Sequence, residues 1–375
     1  MIPLNEKLSG LQPSAIRSFT ALAKQTPGCV LLTLGEPDFD TPQPIKDALC
    51  DALKSGQTHY APNAGTQSLR SAIAAYETSR GYRCTAEDIL VTVGATGALY
   101  TALTGILNPG DEVVVPTPAF PLYESIVKAA GASYVPMDTS QDGFQLTEKT
   151  LSAHITPNTK AIVLNSPNNP TGVVYSRASL DALKVAVLGK PIFVICDNAY
   201  IQLAKGDCPD LSRDPQLKEQ ILLCQSFSKP YAMTGWRAGY LAAPAWAMER
   251  LRLLHAANVA CVPTFVQAAC EEALHTDVSA MAQSYAARRS YVCSRLEKMG
   301  LSFPKSEGAF YVFAKIPEAD STQFCTRLIR EARVALVPGS CFGAEGYVRI
   351  SCCCSEEALR TGMDRLEQFI KERKV

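Results

Sequence analysis

The 375-residue sequence predicts an α/β protein, with one large domain on a mostly parallel sheet and one smaller α+β domain. Between about residues 45 and 245, short apolar runs alternate with helical patterns, which is typical of strands joined by crossover helices. Runs such as 192–195, Ile-Phe-Val-Ile, are apolar throughout, as in strands buried on both faces. The length also exceeds the ~100–200 residues of one typical domain, which favours a second unit.

The individual elements follow from the same patterns. Strands of the large sheet are predicted at 89–93, 112–116, 133–137, 161–165, 191–196, 221–225 and 238–243, before a long helical tract at about 245–300. The C-terminal unit is predicted to contain strands at 310–316, 334–337 and 347–353 and helices at about 321–332 and 355–373. We expect the N-terminal 40 residues to pack there, so the predicted domains are 42–280 for the large one and 1–41 with 281–375 for the small one.

Composition narrows the range of partners. Thirty-six Lys and Arg balance thirty-six Asp and Glu, which gives no reason to expect nucleic acid or an anionic membrane and favours a small-molecule substrate. Fourteen cysteines without paired Cys-x2-Cys spacing, and only four histidines, argue against a metal site. Cys196 and Cys224 are interpreted as buried thiols in a reducing cytosol. Neither a signal peptide nor an apolar stretch of ~20 residues is seen, so a cytoplasmic protein is expected.

Lys229 is the strongest candidate catalytic residue. It ends the segment Ser226-Phe227-Ser228-Lys229, which follows an apolar strand, and a sheltered lysine amine can form a Schiff base with a carbonyl group. A solvated surface lysine is the alternative. The same Ser-x-x-Lys spacing occurs in serine acyl-transfer enzymes, but their Ser-Asp-Asn and Lys-Thr-Gly motifs are missing from this chain.

Other candidate site residues come directly after other predicted strands. This position is informative because ligands of open parallel sheets bind beyond the carboxyl ends of the strands. Gly94, Ala95 and Thr96 open a helix, where unpaired backbone N–H groups bind phosphate, although a tight turn alone would also use glycine. Arg237 is a candidate for a bidentate phosphate contact and Ser226 for a hydroxyl contact. A solvated loop charge is the alternative for Arg237.

A Schiff-base lysine beside a phosphate site points to pyridoxal phosphate. That cofactor needs a buried carboxylate beside its ring nitrogen, and Asp197, which ends the strand 191–196, is the candidate. Asn169 and Tyr200 are candidate donors to the phenolic oxygen of the cofactor, and Phe120 is a candidate for stacking on its ring. A turn-forming aspartate and a core phenylalanine are the alternatives.

Arg349 lies inside the otherwise apolar predicted strand 347–353. A charge buried there requires a partner. The planar guanidinium group of arginine can donate two parallel hydrogen bonds to a carboxylate, which suits the α-carboxylate of an amino acid. An arginine on an exposed sheet face is the alternative.

Several segments together resemble the fold type I, class I/II aminotransferases over nearly the full length, most closely the branch of prokaryotic aspartate and aromatic aminotransferases. The matching segments are Leu34-Gly35-Glu36-Pro37-Asp38-Phe39, His59-Tyr60-Ala61-Pro62, Asn165-Ser166-Pro167-Asn168-Asn169-Pro170-Thr171-Gly172, Ser226-Phe227-Ser228-Lys229, Met233-Thr234-Gly235-Trp236-Arg237 and Arg349. The resemblance implies a pyridoxal 5'-phosphate enzyme that moves an amino group from an L-amino acid to a 2-oxo acid, expected to be 2-oxoglutarate, in ping-pong order.

The resemblance also implies a role for each matching residue. Lys229 would hold the cofactor and move the proton of the substrate α-carbon, and Tyr60 would reach the phosphate of a neighbouring subunit in a homodimer with shared sites. The remaining residues would surround the cofactor and substrate as follows: Asp197 at the ring nitrogen, Tyr200 and Asn169 at the phenolic oxygen, Phe120 on the ring, Ala95, Thr96, Ser226 and Arg237 at the phosphate, and Arg349, Asn169 and the Gly35 backbone at the substrate carboxylate.

The sequence leaves the substrate side chain open. Some aspartate-preferring relatives carry a lysine where this chain has Thr96, which weakens the prediction of aspartate as the substrate. Residues 11–16 are expected to help set the preference for the substrate side chain. A C–S lyase on the same fold is the alternative reaction, and the intact Asn-Pro-Thr-Gly and Gly-Trp-Arg segments favour transamination over it.

Overall fold

The computed structural model describes residues 2, 5–8, 11, 13, 15–204, 206 and 208–372. Its strands in chain order are β1 Val30–Leu31, β2 Ile89–Thr92, β3 Glu112–Thr117, β4 Ser133–Asp138, β5 Thr159–Asn165, β6 Phe193–Asp197, β7 Ile221–Ser226, β8 Gly239–Ala242, β9 Tyr311–Lys315, β10 Val334–Ala335, β11 Val337–Pro338 and β12 Tyr347–Ser351.

The α-helices surround these strands. In chain order they are α1 Ala15–Lys24, α2 Gln43–Lys54, α3 Gln67–Ser79, α4 Gly94–Ile106, α5 Leu122–Ala130, α6 Glu148–His154, α7 Arg177–Val187, α8 Ala245–Val259, α9 Thr264–Ala273, α10 Ser279–Met299, α11 Ser321–Arg327 and α12 Glu356–Lys371. Of the described helices, none combines the length and the apolar character needed to span a bilayer.

The large sheet has the order β2-β8-β7-β6-β5-β3-β4. Strand β8 runs antiparallel to both of its neighbours, whereas β7, β6, β5, β3 and β4 pair in parallel. The predicted mostly parallel sheet and its predicted strands are confirmed. Because the parallel strands share a direction, their carboxyl ends meet at one edge of the sheet, where ligands of such folds bind.

Alternate residues of each central strand enter two different cores. In β6, Val194 and Cys196 belong to a cluster that packs against α2, α3, α7 and α9, whereas Ile195 belongs to a cluster that packs against α4, α5 and α8. Both faces of the sheet are therefore covered by helices, which explains the continuous apolar runs in the sequence. Cys196 and Cys224 are completely buried, as predicted, and all fourteen cysteines, each in the described part, are free thiols.

The C-terminal unit differs from the prediction in one strand. The predicted strand 334–337 is two separate strands, because β10 pairs with β1 in parallel while β11 pairs with β12 in a three-stranded antiparallel sheet with β9. Through the pair Val30 with Val334, the N-terminal segment lies against the C-terminal part of the chain. The domain boundaries at 41/42 and 280/281 stay a prediction, and the second one falls at the start of α10.

The helical regions also differ from the prediction in detail. The tract predicted at 245–300 consists of α8, α9 and α10, because the chain turns at Ala260 with a φ of 63° and Pro263 starts a new helix. The predicted helix 321–332 continues from α11 into a single π turn at Leu328–Ala332. The predicted helix 355–373 is α12, and position 373 lies outside the described residues.

Candidate active site

A cavity of about 510 Å³ opens at the carboxyl ends of β5, β6 and β7. Most of the predicted site residues line it, although they come from distant parts of the chain. These residues are Gly35, Ala95, Thr96, Phe120, Asn169, Asp197, Tyr200, Ser226, Lys229, Arg237 and Arg349.

Asp197 is the last residue of β6 and is buried. Tyr123 Oη donates to its Oδ2 at 2.6 Å, and the backbone N–H of Ala199 donates to its Oδ1 at 3.2 Å. Burial nevertheless raises the pKa of Asp197, because these two donors only partly replace the water that the carboxylate has lost. A cation placed beside this carboxylate would offset the cost of its burial.

Lys229 lies three residues beyond β7 and is half-buried. Its Nζ donates to the carbonyl oxygen of Gly35 at 2.5 Å. Burial lowers the pKa of Lys229 to about 8, with smaller lowering contributions from the guanidinium groups of Arg237 and Arg349 and opposing contributions from Cys353 and Glu36. A lysine with this pKa has a neutral, nucleophilic amine at a far higher fraction than a solvated lysine.

The start of α4 forms a site suited to an anion. A Cβ atom on Gly94 would lie 2.8 Å from Arg237 Nη2, so the glycine lets the guanidinium lie close to the helix start. A Cβ atom on Gly239 of β8 would likewise lie 2.8 Å from the backbone N of Ala95, so β8 passes close to the helix start. Arg237 has a φ of 55°, a conformation that non-glycine residues rarely adopt and that recurs at functional sites. Unpaired backbone N–H groups and a guanidinium together favour phosphate.

Arg349 in β12 is 2% exposed and faces the same cavity. Its Nη1 donates to Asn169 Oδ1 at 2.8 Å, and its Nη2 donates to the carbonyl oxygen of Thr33 at 2.6 Å. A guanidinium has five N–H donors, so both Nη atoms keep one N–H for a ligand. Both partners are neutral, so among the described residues the charge of Arg349 has no ion-pair partner, which suits a carboxylate ligand.

Asn165, at the end of β5, connects the two sides of the cavity. Its Oδ1 accepts a hydrogen bond from the backbone N–H of Asn169 at 2.8 Å, and its Nδ2 donates to the carbonyl oxygen of Asp197 at 2.9 Å. Asn169 Oδ1 already accepts from Arg349, which leaves the Asn169 amide N–H groups as donors for a ligand.

Two predicted residues do not line this cavity. Gly94 lies next to Arg237, which does line the cavity, whereas Tyr60 is 91% exposed on the surface. Sequence reasoning gave no role to Tyr123, Asn165 and Tyr311, which do line it. The position of Asn165 at a strand end is a sequence signal for it, whereas only their hydroxyl contacts distinguish the two tyrosines from core aromatic residues.

The fold and the cavity define an α/β protein that brings together a lysine of lowered pKa, a buried carboxylate, a helix start suited to an anion and a buried arginine. The chain belongs to the family of class I and II aminotransferases, whose pattern matches residues 27–366.

Similar proteins cover nearly the whole chain. A probable N-acetyl-LL-diaminopimelate aminotransferase of Bacillus subtilis is 40% identical, over 99% of this chain and 96% of that protein. Aromatic-amino-acid aminotransferase 2 of Thermococcus litoralis is 36% identical, over 99% of each. The structure of aspartate aminotransferase from Thermus thermophilus with maleate superposes with a TM-score of 0.93 at 35% identity, over 98% of this chain and 100% of that one. The predictions of a fold type I aminotransferase and of an amino-acid transaminase are confirmed.

Proposed function

We propose that this aminotransferase uses pyridoxal 5'-phosphate to move an amino group from an L-amino acid to 2-oxoglutarate in two half-reactions, in ping-pong order. The observation that carries the proposal is a single cavity lined by Lys229, Asp197 and Arg349. Each of them would supply one part of the chemistry, and the hydrogen-bond partners described above for Asp197 and Arg349 are uncharged groups.

The residues of the cavity fit the cofactor. The α4 start with Ala95, Thr96, Ser226 and Arg237 would hold the phosphate, and Asp197 would hold a protonated ring nitrogen. Asn169 and Tyr200 would donate to the phenolic oxygen, while Phe120 would cover the ring. When bound, the cofactor supplies an electron sink for the electrons left after the α-proton departs.

Lys229 would act as both anchor and general base. With a pKa of about 8, roughly a tenth of its amine groups are neutral at pH 7, whereas an ordinary lysine has fewer than about one in a thousand. The neutral Nζ would accept the proton that leaves the substrate α-carbon and deliver it to the cofactor side. Burial therefore prepares this lysine for proton transfer near neutral pH.

Arg349 would orient the substrate. Its two free Nη hydrogens match a carboxylate in the bidentate arrangement, and the contacts with Asn169 and Thr33 fix the plane of the guanidinium. Holding the α-carboxylate in this way would keep the α-carbon near Lys229, which lines the same cavity.

Arg17 supports an acceptor with a second carboxylate. It lies in α1 at the mouth of the cavity, next to Ile16, and its side chain is exposed. Within the described residues its guanidinium has no ion pair or hydrogen bond. Positions 12 and 14 of the predicted specificity segment 11–16 lie outside the described residues, whereas Ile16 does line the cavity. The distal carboxylate of 2-oxoglutarate would find its cation in Arg17.

We also propose a cytoplasmic homodimer with shared sites. Tyr60, a large aromatic residue, is 91% exposed in a loop whose backbone is held by a hydrogen bond from Thr264 Oγ1 to the carbonyl oxygen of His59 at 2.5 Å. Such a side chain suits a contact with a second subunit. Mixing inactive Tyr60→Ala and Lys229→Ala variants under subunit exchange should restore activity, because each heterodimer would contain one intact site. No recovery in a mixture shown to contain heterodimers would contradict shared sites.

The reaction is tested by absorbance. The protein is loaded with pyridoxal phosphate and titrated with single L-amino acids, and the visible band should convert to the near-ultraviolet band of the amine form without any acceptor. Adding 2-oxoglutarate should restore the visible band. Release of excess pyruvate and ammonia from cystathionine without an acceptor would instead establish the C–S lyase reaction and overturn the proposal.

A further inference from the structure

Tyr311, the first residue of β9, is buried where three predicted site residues meet. Its Oη lies 3.2 Å from Tyr200 Oη, and its ring centre lies 4.3 Å from the guanidinium carbon of Arg349. A Cβ atom on Gly35 would fall 1.8 Å from the same Oη, so the hydroxyl occupies the space that the glycine leaves open. One side chain thus contacts the residues proposed to serve the cofactor and the substrate.

The hydroxyl pair has a preferred direction once Tyr200 serves the cofactor. A phenol has one hydrogen to donate. If Tyr200 donates it to the phenolic oxygen of the cofactor, the hydrogen bond between the two tyrosines must run from Tyr311 to Tyr200. A hydroxyl that accepts one hydrogen bond becomes a stronger donor in the next, because chains of hydrogen bonds polarise one another.

The ring of Tyr311 acts on Arg349. The guanidinium carbon also lies 4.9 Å from the ring centre of Phe342, and Arg349 Nε is buried without a hydrogen-bond partner among the described residues. Contacts with the two aromatic rings therefore take the place of polar partners around this part of the guanidinium. They restrict its plane while the Nη atoms stay available to Asn169, Thr33 and a ligand.

The backbone of Tyr311 is itself held against the turn that contains Asn169. The backbone N–H groups of Glu307 and Gly308 donate to the carbonyl oxygen of Gly172 at 2.9 and 3.0 Å, and Ser306 Oγ donates to the carbonyl oxygen of Tyr311 at 2.8 Å. A Cβ atom on Gly172 would lie 2.4 Å from that same carbonyl oxygen, so this close approach requires a glycine. The position of Tyr311 is therefore fixed relative to the cavity.

We propose that Tyr311 is a positioning residue that serves both halves of the site: its hydroxyl directs the Tyr200 hydroxyl toward the cofactor, and its ring sets the plane of Arg349 for the substrate carboxylate. This inference rests on the proposed function, because it requires the cofactor to be bound beside Tyr200. The two actions use different parts of the side chain, so different substitutions separate them.

The experiment compares Tyr311→Phe and Tyr311→Leu with the parent, all loaded with pyridoxal phosphate. Tyr175→Phe is the matched control, since Tyr175 is a buried tyrosine that does not line the cavity. The first readout is the pH midpoint of the visible band of the bound cofactor. The second is the Kd of succinate, a carboxylate with no amino or keto group, obtained from the change of that band.

Tyr311→Phe should raise the pH midpoint by about 0.5 to 1 unit, because the ionised phenolic oxygen would lose part of its hydrogen bond from Tyr200. Its succinate Kd should stay within about twofold of the parent, because the ring remains on Arg349. Tyr311→Leu should show the same midpoint shift and bind succinate about 3- to 10-fold more weakly. Tyr175→Phe should match the parent in both readouts.

A pH midpoint in Tyr311→Phe equal to that of the parent would overturn the role of the hydroxyl. An unchanged succinate Kd in Tyr311→Leu would overturn the role of the ring. Variants that lose thermal stability while both readouts stay at parent values would show a purely structural residue. A parent protein that forms no visible band with pyridoxal phosphate would overturn the proposed function itself, which is a distinct result.

Discussion

The two sides of the cavity are built in different ways. The sheet side, made of Asp197, Ser226 and Lys229, comes from the ends of two neighbouring parallel strands and the residues just after them. The opposite side, made of Gly35, Tyr311 and Arg349, comes from the N-terminal segment and from two strands of the C-terminal unit. We call these the sheet side and the composite side.

This difference matters because the two sides depend on different contacts. The sheet side is held by backbone pairing between adjacent strands, such as Asp197 with Cys224. On the composite side, Tyr311 and Arg349 also lie on paired strands, β9 and β12, but the N-terminal segment joins them through contacts such as the hydrogen bond from Arg349 to Thr33, which are 316 positions apart. The sheet-side residues proposed to serve the cofactor therefore belong to one sheet, whereas the residues proposed to bind the substrate carboxylate also depend on how the N-terminal segment lies against the C-terminal unit.

Lys229→Ala should have the largest effect. Activity should fall by at least about 10³-fold, because both the covalent anchor and the general base are lost. Borohydride treatment followed by mass spectrometry should then find no cofactor attached to the protein. Lys218→Ala, which changes an exposed lysine outside the cavity, is the control. A reducible link at another lysine, with activity retained, would contradict the assignment.

Asp197→Asn should separate cofactor binding from stability on the sheet side. Activity should fall by about 10²- to 10³-fold, because the ring nitrogen would lose its carboxylate partner. Without cofactor, the variant should be at least as stable as the parent at pH 7.5, because burial raises the pKa of Asp197 and makes its ionised form costly.

The sign of that stability difference follows from the raised pKa. The folded state disfavours ionised Asp197, so the parent should lose stability relative to the variant as the pH rises from the ordinary Asp value of 3.8. Urea unfolding of both cofactor-free proteins at several pH values measures this. A parent that is clearly more stable than the variant at pH 7.5 would show that the buried carboxylate is already well paired.

Arg349→Lys should damage the composite side alone. The positive charge remains but the two Nη donors of the guanidinium group are lost, so Asn169 Oδ1 and the Thr33 carbonyl oxygen each lose a donor. We expect kcat/KM to fall by about 10²-fold with the cofactor still attached to Lys229. Arg330→Lys, on the exposed surface, is the control. Loss of the bound cofactor in Arg349→Lys would mean that the two sides are not independent.

The pKa of Lys229 tests how far the two sides communicate through charge. In the cofactor-free protein, the rate of amine reaction with pyridoxal should rise with pH to a midpoint of about 8. Arg349→Gln should move that midpoint upward, because the guanidinium disfavours a second positive charge nearby. Lys229→Ala supplies the background rate. A parent midpoint near 10.5, the value of a solvated lysine, would show that the amine is not buried in solution.

Arg17→Gln should have the smallest effect and should depend on the substrate. The KM for 2-oxoglutarate should rise about 2- to 5-fold, the range expected for an exposed ion pair, while kcat/KM for phenylpyruvate stays unchanged. Arg17→Lys should retain most of the binding, and added salt should reduce the difference between parent and variant. Equal losses for both oxo acids would rule out a role in recognising the distal carboxylate.

Sequence patterns predicted the sheet side well. Apolar runs locate buried strands, and the polar residues that follow each run mark its carboxyl end, so Asp197 and Lys229 could be placed at one edge. The composite side was predicted only in part. Arg349 is conspicuous as a charge in an apolar strand, whereas only the contact of its hydroxyl with Tyr200 distinguishes Tyr311 from a core aromatic residue.

The remaining differences have a common physical reason. The predicted strand 334–337 became two strands because its halves pair with different partners, one of which lies some 300 residues earlier in the chain. Periodicity reports whether a segment is buried, but it does not report which distant segment covers it. The same holds for Tyr123, whose contact with Asp197 joins two elements 74 positions apart.

The pairing of β1 with β10 has a consequence for biosynthesis. Every strand of the large sheet lies between residues 89 and 242, so a ribosome has released that whole region before it makes Val334, the partner of Val30. Nascent chains fold from the N-terminal side as they emerge. The proposed phosphate site at α4 can therefore form before β10, the partner strand of residues 30 and 31, has been synthesised. On the proposed function, a nascent chain would complete the part that holds the cofactor phosphate before the part that holds a substrate.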